Sequence, residues 1–210
     1  EAEFEKYKEA FRREAQILAK LPKTNGLVSV FLLEEDNNTW YIIMEYLPGQ
    51  PLDRYLAENG PVDPVWLLKM IKPVLEALDL VHENGLVHRD ISPDNLMLSP
   101  KKDHLTLMDF GSAVLLNGRP THAIGKPGFA PIEQYDEKNE LTAASDIYAI
   151  SATIYNLLSG HQPTQATSRV LSKFAGGADP IVRLRSMNDS ISQDVEDLVF
   201  KGMQLDFRSL

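Results

Sequence analysis

The sequence predicts an α+β chain in which a small helix-plus-strand part precedes a larger, mostly helical one. Three observations predict it. Apolar residues keep three- and four-residue spacing at the start of the chain and again after Asp63, two β-branched and aromatic runs lie between these stretches, and helical spacing returns after Thr142. The 210 residues, 43% of them apolar and none of them Cys, form an ordinary globular composition able to bury a core without disulfides or a structural metal.

Tyr7, Phe11, Ala15, Leu18 and Leu21 mark one amphipathic helix over residues 2 to 21, stopped by Pro22. Leu27 to Leu33 and Trp40 to Tyr46 then read as an antiparallel strand pair joined by the polar turn Glu34 to Thr39, and Pro48-Gly49 ends the second strand. Asp63 followed by Pro64 is a cap with a first-turn proline, so a long buried helix spans about 64 to 84 before Gly85. Leu86-Val87, Leu96 to Leu98 and Leu105 to Met108 are short strand-like pieces between polar turns. Residues 112 to 130 hold Gly and Pro with little periodicity. Ala143 to Leu158 and Ile191 to Met203 complete the helices, the last opened by a capping-box pattern at Ser190-x-x-Gln193. There is no internal repeat.

Charge and composition exclude several functions. Thirty acidic against 21 basic residues, a net charge of -9, argue against nucleic acid as a partner. The most apolar helical stretch, Ile147 to Leu158, contains Tyr148, Ser151 and Asn156 and is too short to cross a bilayer. The absence of Cys removes thiolate chemistry and suits a reducing compartment, so the sequons at Asn37 and Asn188 are read as chance. The first residues show neither an initiator Met nor a signal pattern and look like a cut end.

Chemistry concentrates in two clusters. His88-Arg89-Asp90-Ile-Ser-Pro-Asp-Asn95 follows the long helix, and Asp109-Phe110-Gly111 follows a short strand; Ala130-Pro131-Ile132-Glu133 comes later. A lone Asp in a turn commonly caps its own backbone. In this order and spacing the segments resemble the catalytic loop, the metal-binding Asp-Phe-Gly and, with one residue inserted, the Ala-Pro-Glu of protein kinases. Seven fixed positions give roughly 1 in 10⁹ per placement, which leaves little room for coincidence. The resemblance covers nearly the whole chain. The Ser-Pro-Asp-Asn wording and Phe129 to Tyr135 are most similar to bacterial kinases of the serine/threonine type.

The resemblance implies a protein-kinase-like fold, with residues 1–47 as a partial N-lobe (a C helix plus two or more strands) and 48–210 as the C-lobe. It also implies ATP and Mg²⁺ as cofactors and proteins as substrates. Asp90 would orient the acceptor hydroxyl, Asn95 and Asp109 would hold metal, and hard oxygen ligands are what Mg²⁺ requires. Glu14 matches the C-helix glutamate that pairs with a catalytic lysine, and Leu18 resembles a hydrophobic-spine residue. Met44 resembles the gatekeeper, Glu45 and Leu47 the hinge groups that pair with adenine, and Met97 the residue beneath it; both methionines would equally serve as core fillers. His88 and Phe110 are structural, Asp146 resembles the buried aspartate that steadies the catalytic loop, and Glu133 and Arg208 resemble an ion pair. Arg89 resembles the residue that, in the family, couples activity to phosphorylation of the activation segment, for which Thr121 would be the acceptor.

Two departures stand out. Where most serine/threonine kinases carry a lysine two residues after the catalytic aspartate and Gly-Thr before Pro-Glu, this chain has Ser92 and Gly125-Lys126. Lys126 is therefore expected to supply the cation that the loop has lost. The second is that no Gly-x-Gly-x-x-Gly and no lysine-bearing strand precede the first helix; Lys6 and Lys8 are too near Glu14 to come from a separate strand. The chain is thus expected to begin after the phosphate-covering hairpin, to be weakly active or inactive as it stands, and to expose a sheet surface that favours dimerisation. A pseudokinase that binds nucleotide or protein as a scaffold is the alternative, and a small-molecule phosphotransferase a third reading. The expected location is the cytoplasm, or the cytoplasmic part of a membrane-anchored protein.

Overall fold

A computed structural model describes residues 2–117, 125–136 and 138–205, the side chains of 2–7, 10 and 14 excepted. Helix α1 (Ala2–Leu18) buries Ala15 and Leu18. It ends before Leu21 because the N–H groups of Lys20 and Leu21 fold back onto Ile17 and Leu18, three residues earlier, ahead of Pro22. Strands β1 (Val30–Asp36) and β2 (Thr39–Met44) pair antiparallel. The hairpin's turn is tighter than the sequence suggested, and both strands lie nearer to it. Asn37 and Asn38 take positive φ of 48° and 60°, which Asn tolerates in a two-residue turn, so Glu34 to Asp36 remain in the strand. Lys8 fastens α1 to this hairpin through Glu35 at 2.6 Å.

Residues 26 to 28 leave that pair and dock elsewhere. Val28 donates to the Leu107 carbonyl at 2.9 Å and Leu107 to that of Gly26 at 2.8 Å. Gly26 has φ +88°, and a Cβ there would lie 2.4 Å from the Pro73 carbonyl oxygen, so only glycine permits this approach.

Strands β3 (Gln50–Pro51), β5 (Leu96–Leu98) and β6 (Leu105–Leu107) form a three-stranded sheet in the order β3-β5-β6, while β4 (Leu86–Val87) pairs with β7 (Val114–Leu115). Helix α2 (Leu52–Asn59), which no pattern in the sequence announced, follows β3 directly. Helix α3 (Pro64–Glu83) starts as expected, with Asp63 Oδ1 accepting the Trp66 N–H at 2.8 Å. Leu67, Met70, Ile71, Val74, Leu78 and Val81 place its inner face at the centre of the core. Each such side chain, fully buried, contributes about 1.5–3 kcal/mol.

Helix α4 (Ala143–Ser159) is buried on nearly every side and opens with a capping box between Thr142 and Ser145. Helices α5 (Ala166–Phe174), α6 (Leu184–Met187) and α7 (Gln193–Gly202) cover it. The cap of α7 is Ser192, not Ser190. Ser190 spends its hydroxyl on Asn188 at 2.6 Å and Ile191 is drawn into the core, so the helix begins only after Ser192. Among the described residues no helix is long and apolar enough to cross a membrane.

Candidate active site

The site is built on the loop between β4 and β5, and that loop is held from beneath by α4. Asp146, with no exposed surface, accepts the backbone N–H of His88 at 2.8 Å and of Arg89 at 2.9 Å. His82 Nε2 lies 2.8 Å from the same carboxylate. A buried carboxylate without donors would be strongly disfavoured, and here three groups supply them. Arg89 takes φ +71° at this point, an unusual conformation for a long side chain, held by the carboxylate below and by Gln134, whose Nε2 donates to the Arg89 carbonyl at 3.1 Å.

His88 joins this loop to the next. Its Nδ1 accepts the Asp90 N–H at 3.3 Å, which leaves the proton on Nε2, facing the Met108 carbonyl at 3.2 Å. The ring packs on Phe110 at 4.5 Å. Burial pushes the imidazole pKa down against the opposing pull of Asp146 and Asp90, so His88 is a neutral structural bridge.

Asp90 and Asn95 face each other across a short 3₁₀ turn, Pro93–Asn95. Asn95 Nδ2 donates to the Asp90 carbonyl at 2.7 Å and to Asp90 Oδ2 at 2.9 Å, which fixes the amide and leaves its oxygen as an acceptor. Met108 donates its N–H to the Asn95 carbonyl at 3.0 Å and so brings Asp109 alongside. Asp109 is exposed at φ +68°, and its Oδ1 accepts the Gly111 N–H at 3.1 Å. Among the described residues no three His, Asp or Glu side chains converge as a metal cage. The donor set is carboxylate plus amide oxygen, which matches an ion that takes its other ligands from phosphate and water.

Lys126 meets the catalytic loop at Ser92. Its Nζ donates to Ser92 Oγ at 2.9 Å and is ion-paired with Asp94. A lysine of residues 125–136 thus meets a hydroxyl of the loop directly. The segment that carries Lys126 is itself a closed turn. The Lys126 carbonyl accepts the N–H groups of Phe129 at 3.0 Å and Ala130 at 2.9 Å, Gln162 donates to the Pro127 carbonyl, and Gly128 has φ +81°.

Glu133 is buried and accepts the Ser145 hydroxyl at 2.8 Å, and burial pushes its pKa up. Arg208 and Thr121 lie outside the described residues, as does the side chain of Glu14. The Arg89 guanidinium donates to the Ser112 carbonyl at 3.3 Å. On the hinge side, the Glu45 carboxylate accepts the Ser29 N–H at 2.7 Å and its N–H donates to the Ser29 carbonyl at 2.9 Å. Among the described residues no hydrogen bond occupies the Glu45 carbonyl or the Leu47 N–H. Met44 is 41% exposed at the end of β2, and Met97 stands half-buried on β5, two residues after Asn95.

Sequence reasoning assigned no place to His82, whose partner is 64 residues away, or to Asp94, whose partner is 32 residues away. No local pattern signals either pair.

A loop steadied by a buried helix aspartate, an Asp-Asn pair and a neighbouring Asp-Phe-Gly define a phosphotransferase of the kinase type. The family model described as protein kinase domain matches residues 1–209, and the chain belongs to that family. It is similar to the serine/threonine-protein kinase PrkC of Bacillus subtilis, 32% identical over 93% of this chain and 30% of that protein. It is also similar to PksC of Streptomyces coelicolor, 35% identical over 94% of this chain and 38% of that protein, and to the probable kinase PknB of Lactococcus lactis, 29% identical over 95% and 32%. The chain thus spans about a third of the length of these relatives.

Proposed function

We propose that this domain carries the catalytic groups of a serine/threonine protein kinase, and that residues 1–210 by themselves transfer phosphate weakly or not at all. The observation that carries the reading is the Asp90–Asn95 pair, hydrogen-bonded at 2.9 Å with Asp109 alongside, because this arrangement has chemical use and little structural need. Asp90 accepts the proton of the acceptor hydroxyl as its oxygen bonds to the γ-phosphorus of ATP and the bond to the β-phosphate oxygen breaks. Asn95, through its free amide oxygen, and Asp109 would hold Mg²⁺, which when bound neutralises phosphate charge. Lys126 places its ammonium where charge gathers in the transition state, the task of the missing loop lysine. The Glu45 carbonyl and Leu47 N–H pair with the adenine edge between Met44 and Met97. Leu18 is a hydrophobic-spine residue in this reading, and Phe110 and Glu133 are structural.

Residues 1–47 form the smaller lobe and 48–210 the larger in this reading. The exposed Phe31, Tyr41 and Tyr46, the last 89% accessible, support self-association through the smaller lobe. Sedimentation velocity decides between a dimer and a monomer. Dependence on ATP and the absence of Cys support a cytoplasmic position, alone or as part of an anchored protein.

Melting with and without ATP, each with and without Mg²⁺, tests the ligand site. At about 100 times its Kd a single-site ligand adds ~2.7 kcal/mol. A Mg²⁺-dependent rise that Asp109→Asn abolishes supports the site; an equal rise in the variant contradicts it. Ser92 favours the second reading, a pseudokinase scaffold, which predicts nucleotide binding without transfer.

A further inference from the structure

Asp94 has no role in the chemistry set out above, yet several contacts converge on it. Its Oδ2 is ion-paired with Lys126, its Oδ1 accepts the Ser92 hydroxyl at 2.7 Å, and Lys126 closes the ring by donating to Ser92 Oγ at 2.9 Å. Ser92 is fully buried, so its hydroxyl serves as donor to Asp94 and acceptor from Lys126 in one fixed orientation.

The other end of Lys126 is also held. Its carbonyl caps the turn through Phe129 and Ala130, so the side chain spans between two anchored points. A free lysine side chain carries about 2 kcal/mol of rotamer entropy, which opposes its use as a positioned charge. An anchored ammonium has lost that freedom before the reaction begins. Lys126 and Asp94 also line an open groove of 560 Å³ with Asp53, Leu56 and Phe129, beside the catalytic loop. The pair therefore stands at the surface of that groove, with Asp94 turned toward Ser92 and Lys126.

We propose that Asp94 is the positioning residue that holds the Lys126 ammonium at the reacting phosphate, itself touching neither nucleotide nor acceptor. The inference rests on the reading of Lys126 as the relocated cation. Asp94 acts through a side chain used in the transition state, so its loss falls on kcat and leaves the KM for ATP in place.

The test is steady-state transfer by the full-length protein as Asp94→Ala, Asp94→Glu, Lys126→Ala and the Asp94→Ala/Lys126→Ala pair. Each single alanine is expected to lower kcat by about 100-fold, with the double variant no slower than the slower single. Asp94→Glu is expected to recover most of the rate, and the KM for ATP to stay within about threefold throughout. Acylation of Lys126 by acetic anhydride, mapped by mass, gives a readout independent of transfer. Removing Asp94 is expected to raise its rate several-fold while the other lysines keep theirs.

A slow Lys126→Ala beside an Asp94→Ala within about twofold of wild type overturns the inference and leaves Lys126 as the cation. Losses that multiply in the double variant, or an unchanged acylation rate at Lys126, overturn it as well. A harmless Lys126→Ala overturns the relocated cation and the inference together, and a wild-type protein that transfers nothing overturns the kinase reading itself.

Discussion

His88 donates its backbone N–H to the Asp146 carboxylate at 2.8 Å, joining the first residue of the catalytic loop to the buried start of α4. The second oxygen takes the Arg89 N–H, so one side chain orients two consecutive peptides and, through them, Asp90. Asp146→Ala leaves both N–H groups buried and unpaired and is expected to destabilise the domain by about 3 kcal/mol. Asp146→Asn keeps one acceptor and is expected to lose less. Urea titration of the two variants checks this, and a loss below about 1 kcal/mol for alanine contradicts it.

His88 makes stability depend on pH. Its pKa in the folded chain lies below the ordinary 6.5, because burial disfavours the imidazolium. As pH falls through 6.5 the unfolded chain binds a proton that the folded chain refuses, so stability is lost on acidification and fully present above that value. His88→Gln removes the group. Unfolding free energy measured between about pH 5 and about pH 8 is expected to fall more steeply toward acid in wild type than in the variant. Parallel curves contradict the assignment.

Gly128 controls the turn that presents Lys126. At φ +81°, with an added Cβ 2.7 Å from Gln162 Cγ and 3.0 Å from the Pro163 carbonyl, any other residue strains the backbone and displaces Gln162. Gly128→Ala is expected to cost about 1–2 kcal/mol. Amide exchange at Phe129 and Ala130, whose N–H groups close the turn, is expected to accelerate. Unchanged protection at both would show that the turn tolerates the substitution.

The Gly128 turn rests on contacts the sequence does not display, whereas the resemblance already singles out Asp146 and His88. Asp63-Pro64 and Gly85 bracket the long helix because capping is a local matter, and the motif segments fall where the strands and turns place them. Strand β1 runs to Asp36 through pairing with β2, and because that end is polar and exposed, hydrophobicity gave no sign of it. Helix α2 follows Pro51 without a side-chain cap and buries only Leu52. Helix α5 buries only Ala166 and Arg169 and exposes Leu171 and Phe174, so it lacks an inward apolar stripe; Arg169 is held by Asp179, Tyr148 and the Met203 carbonyl. The resemblance led to Ser92 and Lys126, but the Asp94 carboxylate that joins them carries no motif of its own.

The most direct test of the account is transfer of the labelled γ-phosphate of ATP to a serine- and threonine-containing protein, comparing the full-length enzyme with its Asp90→Asn variant. The account predicts Mg²⁺-dependent transfer to hydroxyl side chains, reduced at least about 100-fold in the variant. Nucleotide binding with no transfer, or transfer that Asp90→Asn leaves intact, would contradict it.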